Sequence, residues 1–186
     1  MLDLDETLVH SSLQFMPDAD WMFEVKVPEV GWRTVYVKTR PYLLEFLTAA
    51  SDRFELVVFT ASPSLYGNKV IDMIDPGQSL ISHRLFRNDC YYHQVILSLT
   101  NSPLDLSLQG RYVKDLEVLG RDLSKVAIID NSVEAMGFQL ENGILIDDFY
   151  SDPEDRGLVD CLQFLEMMED MKDCREAIQK YYQVTM

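Results

Sequence analysis

Residues Leu2–Ser11 read LDLDETLVHS. Two aspartates sit one residue apart in an apolar run that then swings into Thr7 and His10. Carboxylates are costly inside a core strand, and a solvated loop has no use for the leucines. The stretch therefore reads as a buried strand whose end delivers charge to one place. Further along, short apolar runs of the buried-strand type recur: FELVVF at 54–59, KVAIID at 125–130 and GILID at 143–147. Helical patterns lie between them. This alternation predicts an α/β fold with a central, mostly parallel sheet and helices on its faces.

PYLLEFLTAASD, from Pro41, predicts a first helix with Leu43, Leu44, Phe46, Leu47 and Ala50 as its apolar stripe. SPSLYGNKVIDMI predicts a second, with Ser62 as N-cap and Pro63 in the first turn. Residues 154–182 predict a long helical region broken once. One segment departs from the pattern. WMFEVKVPEVGWRTVYVK alternates apolar and polar residues on both sides of PEVG, which predicts a β-hairpin over about 22–37, inserted between the first strand and the first helix. VILSLTNSPLDLSLQG at 95–110 has no period and reads as an extra loop.

The chain has 186 residues and an apolar fraction of 47%, which suits one packed domain over 1–186. A net charge of −15 disfavours direct binding to nucleic acid or to anionic membrane surfaces. An anionic substrate needs a local basic site to overcome that repulsion. Cys90, Cys161 and Cys174 form no C-x-x-C pair, and His10, His83 and His93 show no ligand spacing with them, so a zinc site is not expected. The thiols read as reduced, which predicts an intracellular setting, nuclear or cytoplasmic. No run spans a bilayer. The first strand looks clipped at its start, which predicts a fragment of a longer protein.

In a parallel α/β sheet, ligands bind beyond the carboxyl ends of the strands. Strand one ends in Asp3 and Asp5, FELVVF in Thr60, and KVAIID in Asp130 and Asn131; Lys114 stands in YVKDL. This set suits phosphoryl transfer. Asp3 is the candidate nucleophile, forming an aspartyl-phosphate. Asp5 is the candidate acid, then base. Thr60 and Lys114 are candidates to hold phosphate oxygens. Asp3, the Asp5 carbonyl and Asn131 suit Mg2+, with Asp130 holding a metal-bound water. Two of these also have plainer readings, since Thr60 can satisfy a turn and Asp130 can cap the NSVEAM turn. His10 reads as a half-buried side chain and Arg40 as cover for apolar surface.

DLDETLVHSS, FTAS, YVKDL and IIDNS occur in the order found in the haloacid-dehalogenase superfamily. Together with KTRPYLLEFL, LFRNDCYYH and LGRDLSKV, they resemble its small phosphatases of the RNA polymerase II carboxy-terminal tail and the related Dullard-type phosphatases. The resemblance spans most of residues 1–150. It implies a Rossmann-type three-layer domain and a Mg2+-dependent serine/threonine phosphoprotein phosphatase, with the polymerase tail as one candidate substrate. It implies that Asp3 is the nucleophile and Asp5 the acid/base. It puts Arg87 near the substrate phosphate, although a surface ion pair is the plainer reading. It implies an apolar substrate pocket from Leu13, Val25, Val27 and Val35, against the plainer reading that the valines hold the hairpin down. The alternatives are a small-molecule phosphatase, a phosphotransferase, and a catalytically silent binding protein like the Tim50-type import receptors.

Overall fold

The computed structural model describes residues 1–27, 29–95 and 109–185. Its centre is the opening stretch. Leu2 bridges in parallel to Val58 on one side and to Ile129 on the other. The Leu2 and Asp3 N–H groups donate to Val57 and Ile129 carbonyls at 2.8 and 2.9 Å. Residues 1–3 thus form the middle of a parallel sheet. On one side lie β4 (Val57–Phe59) and then β5 (His83–Leu85); on the other lie β8 (Ile128–Asp130) and then β9 (Gly143–Leu145). These runs are apolar because the sheet is covered on both faces. Leu2, Val58, Ile129 and Ile144 lie in one buried cluster with Phe46 and Leu47 of helix α1 (Leu43–Ser51), Val70 and Ile71 of α2 (Ser64–Ile74), and Leu158 and Phe164 of α3 (Gly157–Met168). The α/β fold is as expected, and so is the single break in the C-terminal helical region, where α4 (Cys174–Thr185) follows α3.

The structure corrects several local expectations. The strand pairing of the first segment stops at Asp3. Residues 4–9 then fold into a tight turn, in which Glu6 takes φ 58° and the Leu8 N–H donates to the Leu4 carbonyl at 2.9 Å. Ser62 is not the α2 cap. Pro63 holds that position without a side-chain bond, and the Ser62 hydroxyl points elsewhere. Pro41 precedes α1 by two residues.

The hairpin forms from β2 (Trp21–Val27) and β3 (Gly31–Thr39), and β1 (Val9–Ser12) joins β3 as a third strand. A two-stranded ribbon is marginal alone, and the third strand supplies the missing partner. A second antiparallel pair, unforeseen, is β6 (Tyr91–Val95) with β7 (Gln109–Val113). The ends of the expected 95–110 loop are therefore strand residues, and 96–108 lie outside the described residues. Among the described residues, no helix is long and apolar enough to cross a membrane.

Candidate active site

Every strand of the parallel sheet sends its carboxyl end to one edge, where an open cavity of about 670 Å³ lies. Asp3, Asp5, Thr60, Arg87, Lys114, Asp130 and Asn131 all line it. They come from six segments: the first strand, the turn that follows it, the ends of β4 and β8, the turn after β5, and the residue after β7.

Lys114 is the electrostatic centre. It is 2% exposed, and its Nζ reaches Asp3 Oδ1 and, at 2.6 Å, Asp130 Oδ2. Burial works against its charge, but Asp3 and Asp130 outweigh that and hold it above its ordinary value. Burial and the nearby Asp3 charge push the Asp130 carboxyl up to about 6, against the pull of Lys114. Asp130 Oδ1 accepts from the Ser132 N–H at 2.8 Å, so both its oxygens are engaged. It anchors Lys114 and the turn, and it lines the cavity where a metal-bound water was expected beside it. Ser132 caps the short turn that follows.

Asp5 is held by two hydroxyls, those of Ser62 at 2.6 Å and Tyr66. Burial chiefly raises its carboxyl above the ordinary range, opposed by both hydroxyls. Thr60 is buried and accepts the Ser62 N–H at 3.0 Å, so the plain turn reading holds and the residue still lines the cavity. Asn131 Nδ2 donates to Asp148 at 2.8 Å, and its Oδ1 accepts from Thr7 at 3.2 Å. Among the described residues, Arg87 does not form the surface ion pair considered for it. Its Nε donates to the Ala61 carbonyl at 2.7 Å, and its guanidinium lies 5.0 Å from the Tyr112 ring centre.

The cavity lining holds five carboxylates (Asp3, Asp5, Glu6, Asp130, Glu134) against three cations (Arg87, Arg111, Lys114). Lys114 is already committed to two of those acids, and Arg111 is paired with Glu134. Among the described residues, no three His, Cys, Asp or Glu side chains converge on a metal position. The donors expected from the sequence, the Asp3 carboxylate, the Asp5 carbonyl and the Asn131 amide oxygen, belong to residues that all line the cavity. Such a hard, mixed set fits a cation that keeps part of its water shell.

The four apolar residues expected to form a pocket do not line this cavity. Val35 is 4% exposed within the core, Val25 packs against that core, Val27 is half-buried, and Leu13 stands 60% exposed. The plainer reading accounts for Val25 and Val35.

Nothing in the motifs singled out Tyr66 and Arg111. The one available signal for Tyr66 was its place four residues after Ser62, in the first turn of a helix that starts at the site. Arg40 is not surface cover. It is 1% exposed, forms a two-pronged pair with Asp155 at 2.7 and 2.8 Å, and donates to the Thr7 carbonyl at 3.1 Å.

The sequence profile of the NLI interacting factor-like phosphatases matches residues 1–175. The CTD small phosphatase-like protein 2 of Dictyostelium discoideum is 41% identical over 99% of this chain, which covers 30% of it. For the CTD small phosphatase-like protein 3 of Caenorhabditis elegans the figures are 40%, 99% and 59%. For the human CTD small phosphatase-like protein they are 39%, 89% and 54%. The chain thus spans less than two thirds of the length of these relatives. Among solved structures, fission yeast Fcp1, an RNA polymerase II CTD phosphatase with beryllium fluoride bound, superposes with a TM-score of 0.61 at 20% identity, over 98% of this chain and 53% of that one. That likeness shows a shared fold. With the profile running from the first residue through α3, and identities near 40% along almost the whole chain, the protein belongs to the NLI interacting factor-like phosphatase family.

Proposed function

We propose that this chain is a Mg2+-dependent phosphatase of serine/threonine phosphoproteins that works through an aspartyl-phosphate on Asp3. The observation that carries the reading is the convergence of Asp3, Asp5, Thr60, Lys114 and Asn131 on one cavity at the carboxyl edge of the sheet. The Asp3 carboxylate attacks phosphorus as the bond to the seryl or threonyl oxygen breaks, and Asp5 gives that oxygen its proton. Asp5 then takes a proton from the water that attacks phosphorus and frees Asp3. Lys114 and the Thr60 turn hold the phosphate oxygens. Mg2+, held by Asp3, the Asp5 carbonyl and Asn131, supplies the positive charge that a lining with more acids than cations lacks. The insert between the first strand and α1 is a three-stranded sheet, and none of its residues lines the cavity, which leaves room for a polypeptide on the described side.

The test is turnover of a phosphoserine peptide and of p-nitrophenyl phosphate, with Mg2+ and with chelator. Both esters should be cleaved only with Mg2+. Asp3→Asn should lose roughly 1,000-fold or more on both, with an unchanged circular dichroism spectrum. A mutant that keeps a tenth of the wild-type rate, or a wild type without turnover, overturns the reading.

A further inference from the structure

Asp5 is gripped unequally on its two oxygens. Ser62, which donates to Oδ2 at 2.6 Å, lines the cavity. Tyr66, whose hydroxyl meets Oδ1, does not. Oδ2 is thus the oxygen beside the cavity-lining Ser62, and Oδ1 the one beside Tyr66, which is not part of the lining. The Tyr66 oxygen also lies 2.6 Å from Ser11 Oγ on β1. A phenol carries one proton, and a carboxylate can only accept. Tyr66 accordingly donates to Asp5, and Ser11 donates to Tyr66. The Tyr66 ring is held separately, against Phe23 at a centroid distance of 6.1 Å.

We propose that Tyr66, backed by Ser11, is a positioning residue for the leaving-group acid: it pins Asp5 Oδ1 so that the transferable proton sits on Oδ2, facing the ester oxygen. The inference rests on the phosphatase reading and deepens it. In the first half-reaction the Oδ2 proton passes to the departing oxygen as its bond to phosphorus breaks and the bond from Asp3 to phosphorus forms. The charge left on Asp5 then meets the Tyr66 hydrogen already in place. In the second half-reaction Oδ2 takes a proton from the attacking water as the bond from phosphorus to Asp3 breaks. The Ser62 hydroxyl is a free rotor, so it yields to the Oδ2 proton without backbone movement. The device matters for an alkoxide leaving group, as in phosphoserine, and little for an aryl oxide that departs without a proton.

The experiment compares kcat/KM on a phosphoserine peptide and on p-nitrophenyl phosphate, which reports the first half-reaction for each. Tyr66→Phe removes only the hydroxyl. It should cost roughly 10- to 100-fold on the peptide and less than about 3-fold on the aryl ester. Ser11→Ala should shift the ratio the same way by a smaller factor. In an Asp5→Asn background, Tyr66→Phe should add no further loss, because both changes then act on one missing function. Equal losses on the two esters, no loss on the peptide, or additive losses in the double variant overturn the proposal. If Tyr66→Phe does not fold, the ratio in Ser11→Ala decides, and a wild-type ratio overturns it. A wild type that cleaves neither ester overturns the phosphatase reading itself, and this inference with it; a wild type that cleaves both while Tyr66→Phe behaves identically on both overturns this inference alone.

Discussion

Lys114 sits between Asp3 and Asp130 with almost no contact with water. A buried charge set of this kind is costly to build and more costly to break, because removing one member leaves the others without compensation. Lys114→Met should therefore destabilise the fold by about 3–5 kcal/mol in metal-free buffer, as measured by urea denaturation. A loss below about 1 kcal/mol would mean that the two acids shed their charge at little cost and that the ammonium does not hold the site together. The same three residues show why the site is poised for an anion and still resists it. The lysine's charge is spent on the protein's own carboxylates until another cation, or a substrate, rearranges the balance.

At the level of elements, the antiparallel sheet depends on a short polar stitch. Asp20, just before β2, accepts from the Thr39 N–H at 2.8 Å and the Thr39 hydroxyl at 2.5 Å, and its other oxygen lies 3.4 Å from Lys38 Nζ. These bonds tie the last residue of β3 to the entry of β2, past the end of the ladder. Partial burial works against the carboxylate's charge, but the Thr39 bonds and Lys38 outweigh it and hold the group below its ordinary value. A depressed carboxyl stabilises the folded state above its unfolded value of 3.8, and that contribution is lost as pH falls through the lower folded value. Asp20→Ala should cost about 1–2 kcal/mol at pH 7. Its deficit relative to wild type should shrink as the pH drops below 3.8, followed by denaturant midpoints in a pH series. A deficit that does not change with pH would assign the loss to packing rather than to the carboxylate.

Across the whole molecule, the C-terminal helices are locked to the turn that follows Asp3 and Asp5 through Arg40. Its pair with Asp155 joins the approach to α3 to the segment before α1, and its third bond reaches the Thr7 carbonyl in the turn after Asp5. Gly157 lets α3 come this close: a Cβ there would lie 2.5 Å from Nη2 of a guanidinium that Asp155 already pins. Asp155→Ala leaves Arg40 charged and unpaired in the interior, and should cost about 3 kcal/mol or more in stability. Because Thr7 in turn bonds Asn131, phosphatase activity should fall at temperatures where the variant is still folded. Full activity in a folded Asp155→Ala protein would separate the lock from the site. What the sequence determined alone was local. Apolar runs of the right length marked the buried strands, 3.6-residue stripes marked the helices, and the types of residue at the strand ends predicted that Asp3, Asp5, Thr60, Lys114 and Asn131 meet at one site, as the cavity lining shows. Tertiary structure decided which surfaces meet. It recruited Val9–Ser12 to the hairpin, paired Tyr91–Val95 with Gln109–Val113, buried Arg40, and set Tyr66 on Asp5. Each of these joins groups distant along the chain or drawn from different elements, and depends on a partner's position rather than on any local period. A buried hydrogen bond gains strength once the packed core has excluded water around it, and that packing is set by the tertiary fold.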